Sequence, residues 1–167
     1  MKDNTMRTAV FPGSFDPITT GHESLVRRAS RMFDGIVIAV GVNNLKKSMF
    51  SVEHRLAWLE KVFSDLPNVE VRQYHGLTVD YCREIGAGYI LRGLRTSADF
   101  EFERSIGQVN RKLEEAIETV FLLSEPQHTS INSSIVRDLI RYDGDIRGFI
   151  PSCLDAAELR AAFTDQI

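Results

Sequence analysis

The order of apolar segments along the chain predicts an α/β fold, a single doubly wound parallel-sheet domain. Three observations carry that prediction. Short runs rich in Val, Ile and Phe alternate with segments whose apolar residues recur at helical spacing. The run "GIVIAVG" is apolar throughout, as a strand covered on both faces must be. No linker, internal repeat or low-complexity segment interrupts the alternation, so residues 1–167 read as one unit with a last helix after about Pro151.

The strands follow as "TAVF" (8–11), "GIVIAVG" (35–41), "NVEVRQY" (68–74), "GYILR" (88–92) and "ETVFLL" (118–123). Helical patterns fill 22–33, 51–65, 78–86, 98–115 and 133–142. In 51–65, Leu56, Leu59 and Phe63 fall along one face, and Glu53, Arg55, Glu60 and Lys61 fall largely elsewhere. Ser51 and Thr78 are expected to cap helices, and Gly86 to Gly88 to stop one. Ser133 and Ser134 suit a helix start, and "SCLD" opens the last helix. Pro12-Gly13 predicts a tight turn, and Pro17 stiffens the loop that leads to Gly21-His22.

Composition narrows the function. The net charge is −3 and the isoelectric point about 5.8, which disfavours a nucleic-acid partner held by bulk charge. Basic residues therefore matter singly, as anion contacts. No apolar run reaches the ~18 residues that span a bilayer, and the N-terminus lacks the pattern of a signal peptide. A cytoplasmic protein without a membrane partner is expected. Cys82 and Cys153 have neither metal nor redox spacing and read as free thiols.

In a doubly wound sheet the ligand sits at the carboxyl ends of the strands. Those ends continue into "PGSFDPITTGH", "VNNLKKSMF", "HGLTVD", "GLRTSADFE" and "SEPQHTSINSS". They bring lysines, arginines and two helix starts, Gly21-His22 and Asn132-Ser133-Ser134, to one rim. Helix N-termini and guanidinium groups both suit phosphate, so a site for several phosphates is expected. There is no Walker loop, dinucleotide glycine fingerprint, nucleophile elbow or zinc spacing in the sequence.

"PGSFDPITTGH" resembles the strand–loop–helix signature of the nucleotidylyltransferase superfamily, whose [TH]-x-G-H motif falls here on Thr19-Thr20-Gly21-His22. "SINSSIVR" resembles the second motif of that superfamily, I-S-S-[ST]. With "KKSMF" and "LRGLRTSADFEFE", the chain closely resembles the bacterial phosphopantetheine adenylyltransferase family from about Arg7 to about Pro151. The resemblance implies a Rossmann-like nucleotidylyltransferase fold, a homohexamer, and adenylyl transfer from ATP to 4′-phosphopantetheine. The products are dephospho-coenzyme A and pyrophosphate. It also implies Mg²⁺ carried with the ATP, and no metal held by the protein itself.

Residue by residue, the resemblance makes His22 the catalytic donor and an ATP ligand. Ser14 and Phe15 contact substrate phosphate and ATP. Lys46 and Arg92 hold the acceptor phosphate, and Leu77-Thr78 lies along the pantetheine arm. Gly93, Leu94 and Arg95 form an ATP-binding turn, and Glu103 adds a further ATP contact. The segment His128, Thr129, Ser130, Ile131, Asn132, Ser133 and Ser134 takes the triphosphate. Ser14 replaces a common Thr, His128 and Ser130 replace aromatic residues, and Asn132 replaces a Ser.

Taken alone, each residue has a plainer reading. His22 suits a cap, Lys46-Lys47 a solvated loop, and Glu103 a partner for Arg104 or Lys112. Arg92, ending a buried strand, needs an anionic ligand or a carboxylate. His54, His75 and the Arg27-Arg28-Arg31 face read as surface, and Trp58 and Met49 as core or subunit contacts. Two rival functions stand beside the first. One is a nucleotidylyltransferase using CTP or another acceptor such as nicotinamide mononucleotide. The other is a nucleotide- or coenzyme-A-binding sensor without catalysis.

Overall fold

A computed structural model describes residues 6–42 and 47–164. Five strands, β1 (Thr8–Gly13), β2 (Gly35–Gly41), β3 (Val69–Tyr74), β4 (Tyr89–Leu94) and β5 (Glu118–Leu123), form one parallel sheet in the order β3-β2-β1-β4-β5. The helices are α1 (Thr20–Ala29), α2 (Val52–Phe63), α3 (Thr78–Ile85), α4 (Ser97–Leu113), α5 (Ser133–Arg141) and α6 (Ala156–Thr164). The order reverses at β1, so the expected doubly wound architecture is present.

Alternation within each strand decides which helix covers which face. Ala9, Ile36, Ile38 and Leu91 pack with Val26 of α1, Leu59 of α2, Val136 of α5 and Leu159 of α6. Their neighbours Val10, Val37, Ala39 and Ile90 point the other way, against Val79 and Cys82 of α3. Trp58 lies edge-on to Phe50 with ring centroids 4.9 Å apart, and its indole N–H donates to Glu158 Oε1 at 2.9 Å. That bond ties the last helix to α2.

Register explains where the site opens. β1 pairs with β2 from Thr8↔Gly35 through Gly13↔Val40, but with β4 only at Ala9↔Tyr89 and Val10↔Ile90. Beyond Val10 the two strands part, and the crevice lies between them.

Several local expectations need correction. Pro12 and Gly13 do not form a turn: they continue β1 in register with Ala39 and Val40, and the chain bends after them. Helix α1 begins at Thr20, with Thr19 as its cap, two residues before the expected start. Ser51 caps α2 as expected, but Thr78 caps nothing. Leu77 holds that position in α3 without a side-chain bond, and Gly86 closes the helix at φ 69°. Asn132, not Ser133, caps α5. "SCLD" forms a turn, and α6 starts after Asp155, whose Oδ1 accepts from Ala157 N at 2.8 Å. Met49 and Trp58 are buried core, and Arg55 is buried too.

Candidate active site

The loop from Gly13 to Thr19 is fixed from three sides. The Asp16 carboxylate, buried, accepts from Met49 N at 2.8 Å and Phe50 N at 2.9 Å. Ser133 Oγ, at the start of α5, donates to Pro17 O at 2.8 Å and so joins the two motif loops. Arg55 and Arg137 each donate to a loop carbonyl, Ser14 O at 2.8 Å and Asp16 O at 2.6 Å. A loop held in this way presents its groups without reorganisation.

His22 is the third residue of α1. Its Nδ1 accepts from Thr19 N at 3.1 Å, while Thr19 Oγ1 accepts from His22 N at 3.4 Å. This reciprocal cap has a chemical consequence. A neutral imidazole whose Nδ1 accepts must carry its proton on Nε2. The pKa of His22 is lowered to about 4, first by burial and then by the charges of Arg95 and Arg92, so the ring is neutral at pH 7. Phe15 meets the imidazole edge-on at 5.1 Å between ring centroids and fixes its tilt. His22 is a neutral, oriented N–H donor.

Arg92 of β4 forms a two-pronged pair with Glu103 of α4: Nε donates to Oε2 at 2.7 Å and Nη2 donates to Oε1. Nη1 donates to Pro12 O at 3.0 Å. Of the five guanidinium donors, three are taken by the protein. The remaining two have no partner among the described residues. Arg95 is set by Asp99, with its Nε 3.2 Å from Oδ2, and Thr96 caps the helix between them. Gly93 lets the end of β4 lie close to α1: a Cβ at this position falls 2.5 Å from Leu25 Cδ1, so a larger residue needs that leucine to shift.

These elements line two cavities that share a wall. The first, about 290 Å³, includes Ser14, Phe15, His22, Arg95, His128 and Asn132. Asn132 Oδ1 accepts from Ile135 N at 3.0 Å, which leaves the amide NH₂ free to donate. His128 Nδ1 is buried without a hydrogen-bond partner among the described residues. The second cavity, about 280 Å³, is lined by Tyr74, Thr78, Ile90, Ile106 and Asn110 among others. Pro12, Gly13, Ser14 and Arg92 belong to both.

Most expected site residues therefore converge. Ser14, Phe15, His22, Arg92, Gly93, Arg95, Glu103, His128, Ile131, Asn132 and Ser133 line the first cavity, and Thr78 the second. Leu77, exposed, and Leu94, Thr129, Ser130 and Ser134 line neither. Lys46 lies outside the described residues. Glu103 takes Arg92, not Arg104 or Lys112. Sequence reasoning missed Tyr74, Ile106 and Asn110. One signal for the last two was present, since Glu103, Ile106 and Asn110 recur at helical spacing along α4.

The sequence profile of the Cytidylyltransferase-like family matches residues 10–139, most of the chain. The phosphopantetheine adenylyltransferase of Flavobacterium psychrophilum is 51% identical over 149 residues, 89% of this chain and 98% of that protein. The Flavobacterium johnsoniae protein of the same name is 52% identical over 149 residues, covering 89% and 97%. This chain belongs to the phosphopantetheine adenylyltransferase family. Another member, from Cytophaga hutchinsonii, is 45% identical over 145 residues, 87% of this chain and 97% of that protein. The family fold extends to distant solved structures. A Vibrio parahaemolyticus protein, provisionally described as a nicotinate-nucleotide adenylyltransferase, superposes with a TM-score of 0.67 at 17% identity, over 96% of each chain.

Proposed function

We propose that this protein transfers the adenylyl group of ATP to 4′-phosphopantetheine, giving dephospho-coenzyme A and pyrophosphate. The observation that carries the reading is the pair of cavities meeting at Ser14 and Arg92, in a chain of this family. ATP occupies the cavity of His22 and Asn132, and the pantetheine arm occupies that of Tyr74 and Asn110. An oxygen of the acceptor phosphate forms a bond to the α-phosphorus, the bond from that phosphorus to the bridging oxygen breaks, and pyrophosphate leaves. The acceptor phosphate is already ionised at neutral pH, so no protein nucleophile is required. The protein aligns the reactants and donates to the charge that gathers on the α-phosphate. His22 Nε2–H and the free donors of Arg92 supply that donation, and Lys46 is assigned to the acceptor phosphate.

Mg²⁺ travels with the ATP phosphates and neutralises part of their charge. Donor chemistry fits this, because the two acidic residues lining the first cavity, Asp99 and Glu103, are occupied by Arg95 and Arg92. The protein works as a homohexamer in the cytoplasm. Phe102, Val109 and Leu113 on α4 and Leu123 on β5 are exposed apolar residues suited to subunit contact. Cys82 and Cys153 are free thiols, with the buried Cys82 pushed up to about 11, which suits a reducing compartment.

Pyrophosphate release by the purified protein tests the reaction. ATP with 4′-phosphopantetheine and Mg²⁺ is expected to turn over, whereas CTP or nicotinamide mononucleotide in place of either substrate is not. Binding of both substrates without pyrophosphate release supports the sensor and overturns the proposal.

A further inference from the structure

Arg55 is a guanidinium with no surface to justify it. It is 5% exposed on α2, behind the first loop. Its Nε donates to Ser51 O at 3.3 Å and its Nη1 to Ser14 O at 2.8 Å. No carboxylate lies within ion-pair distance of it among the described residues, and burial lowers its pKa against the favourable fields of Asp16 and Glu53. Burying a cation in this way is costly unless its bond to the loop matters.

The peptide joining Ser14 to Phe15 is trans, since the one cis bond among the described residues is Asp16–Pro17. In a trans peptide the C=O and the N–H point in opposite directions. Because Ser14 C=O points back at Arg55, Phe15 N–H points away from it, and both residues belong to the lining of the first cavity. Phe15 sits at φ 46°, a conformation an L-residue keeps only when its surroundings hold it there, and its N–H makes no hydrogen bond among the described residues. A cation bound to the carbonyl also polarises the peptide, which strengthens the N–H at its far edge.

We propose that Arg55 is a positioning residue: by gripping Ser14 O it aims and strengthens Phe15 N–H as a donor to phosphate in the first cavity. The contrast with Arg137 sharpens this. Arg137 grips Asp16 O in the same way, but the next residue is Pro17, which has no N–H to aim. Arg137 braces the loop; Arg55 braces it and arms it.

The inference rests on the proposed adenylyl transfer, and the test separates the two. Arg55→Lys, Arg55→Met and Arg55→Ala are compared with wild type in kcat, in the KM of each substrate, in Tm, and in calorimetric affinity for AMP. Arg55→Met is expected to lower kcat by ~10–10²-fold, up to the scale for losing one preorganised donor. AMP affinity is expected to fall by ~10-fold, the range for a lost bond to a charged group. Arg55→Lys keeps charge and fold but lacks the fork, and is expected to lose kcat with Tm nearly unchanged. Guanidinium chloride at non-denaturing concentration is expected to restore Arg55→Ala in part, and sodium chloride at equal ionic strength is not. A purely structural role predicts loss of Tm with no guanidinium rescue. That pattern, or full kcat and AMP affinity in Arg55→Lys and Arg55→Met, overturns the proposal. If wild type itself fails to release pyrophosphate, the reaction is wrong, and the AMP affinities still decide what Arg55 does.

Discussion

The two cavities are built by different means. The first cavity, the proposed nucleotide side, is made of loops and helix starts: Ser14 and Phe15 after β1, His22 in the first turn of α1, Asn132 and Ser133 at the start of α5. Its groups are locked by bonds to one another before any ligand arrives, as with Thr19–His22 and Ser133–Pro17. The second cavity, the proposed acceptor side, is made of regular elements: Tyr74 ends β3, Ile90 lies within β4, and Ile106 and Asn110 lie within α4. It offers one preformed polar pair, Tyr74 Oη with Thr78 Oγ1 at 2.9 Å, backed by Tyr81 stacked 5.0 Å from Tyr74. Two hydroxyls that share one hydrogen bond keep one O–H free, which suits an amide-bearing arm. The difference teaches a division of labour. In the proposed reaction, rigid donors would serve the reacting phosphates, and a shaped, sparsely polar wall would select the acceptor.

The largest expected effect breaks the nucleotide side. His22→Ala keeps the fold and lowers kcat by ~10²–10³-fold, the scale for one preorganised transition-state donor. An ATP affinity that falls by the whole factor with kcat unchanged makes His22 a ground-state ligand instead. The same residue has a pH signature. Its folded pKa of about 4 lies below the ordinary 6.5, so the unfolded chain takes up the proton first as pH falls. The stability His22 contributes is complete above pH 6.5 and drains away toward pH 4. Urea unfolding is expected to show wild type losing about 3 kcal/mol more than His22→Ala between pH 7.5 and pH 4. An equal loss in both contradicts the neutral ring.

Ser133→Ala comes next. It removes the bond from Ser133 Oγ to Pro17 O that holds the two loops together. It is expected to weaken ATP use by ~1–2 kcal/mol, with the KM for 4′-phosphopantetheine nearly unchanged. Asn132→Ser is expected to be almost silent, since serine caps a helix as well as asparagine does. Steady-state kinetics with each substrate varied reads both, and the reverse ranking contradicts the placement of the second motif.

The smallest effect is on the acceptor side. Tyr74→Phe or Thr78→Val breaks the hydroxyl pair and is expected to raise the acceptor KM by ~5-fold, about one neutral hydrogen bond, without moving the KM for ATP. A change in the ATP KM instead shows that the cavities are not separate in function.

This contrast also governs what the sequence made legible. Motif loops concentrate backbone-special residues, so the run from Pro12 to His22 pointed to the nucleotide side at once. β2 was found because a buried parallel strand is apolar throughout, and it is buried along all but its two ends. The acceptor wall carries no such mark. Asn110 looks like any polar residue on a helix until α4 is laid beside β4. Arg55 carries no mark either: it lies off the apolar face of its helix, and the carbonyls of Ser14 and Ser51 that it meets explain its burial. Pro12-Gly13 read as a turn because local propensity favours one, but the β2 ladder holds both residues in the strand.

The central claim is that ATP and acceptor occupy separate cavities that meet at Ser14 and Arg92, so that only the product spans both. Calorimetric titration of dephospho-coenzyme A tests it directly, into free protein, protein saturated with AMP, and protein saturated with 4′-phosphopantetheine. The account predicts that each small ligand weakens product binding, while AMP and 4′-phosphopantetheine bind together without excluding one another. Mutual exclusion of the two small ligands, or product binding indifferent to either, contradicts it.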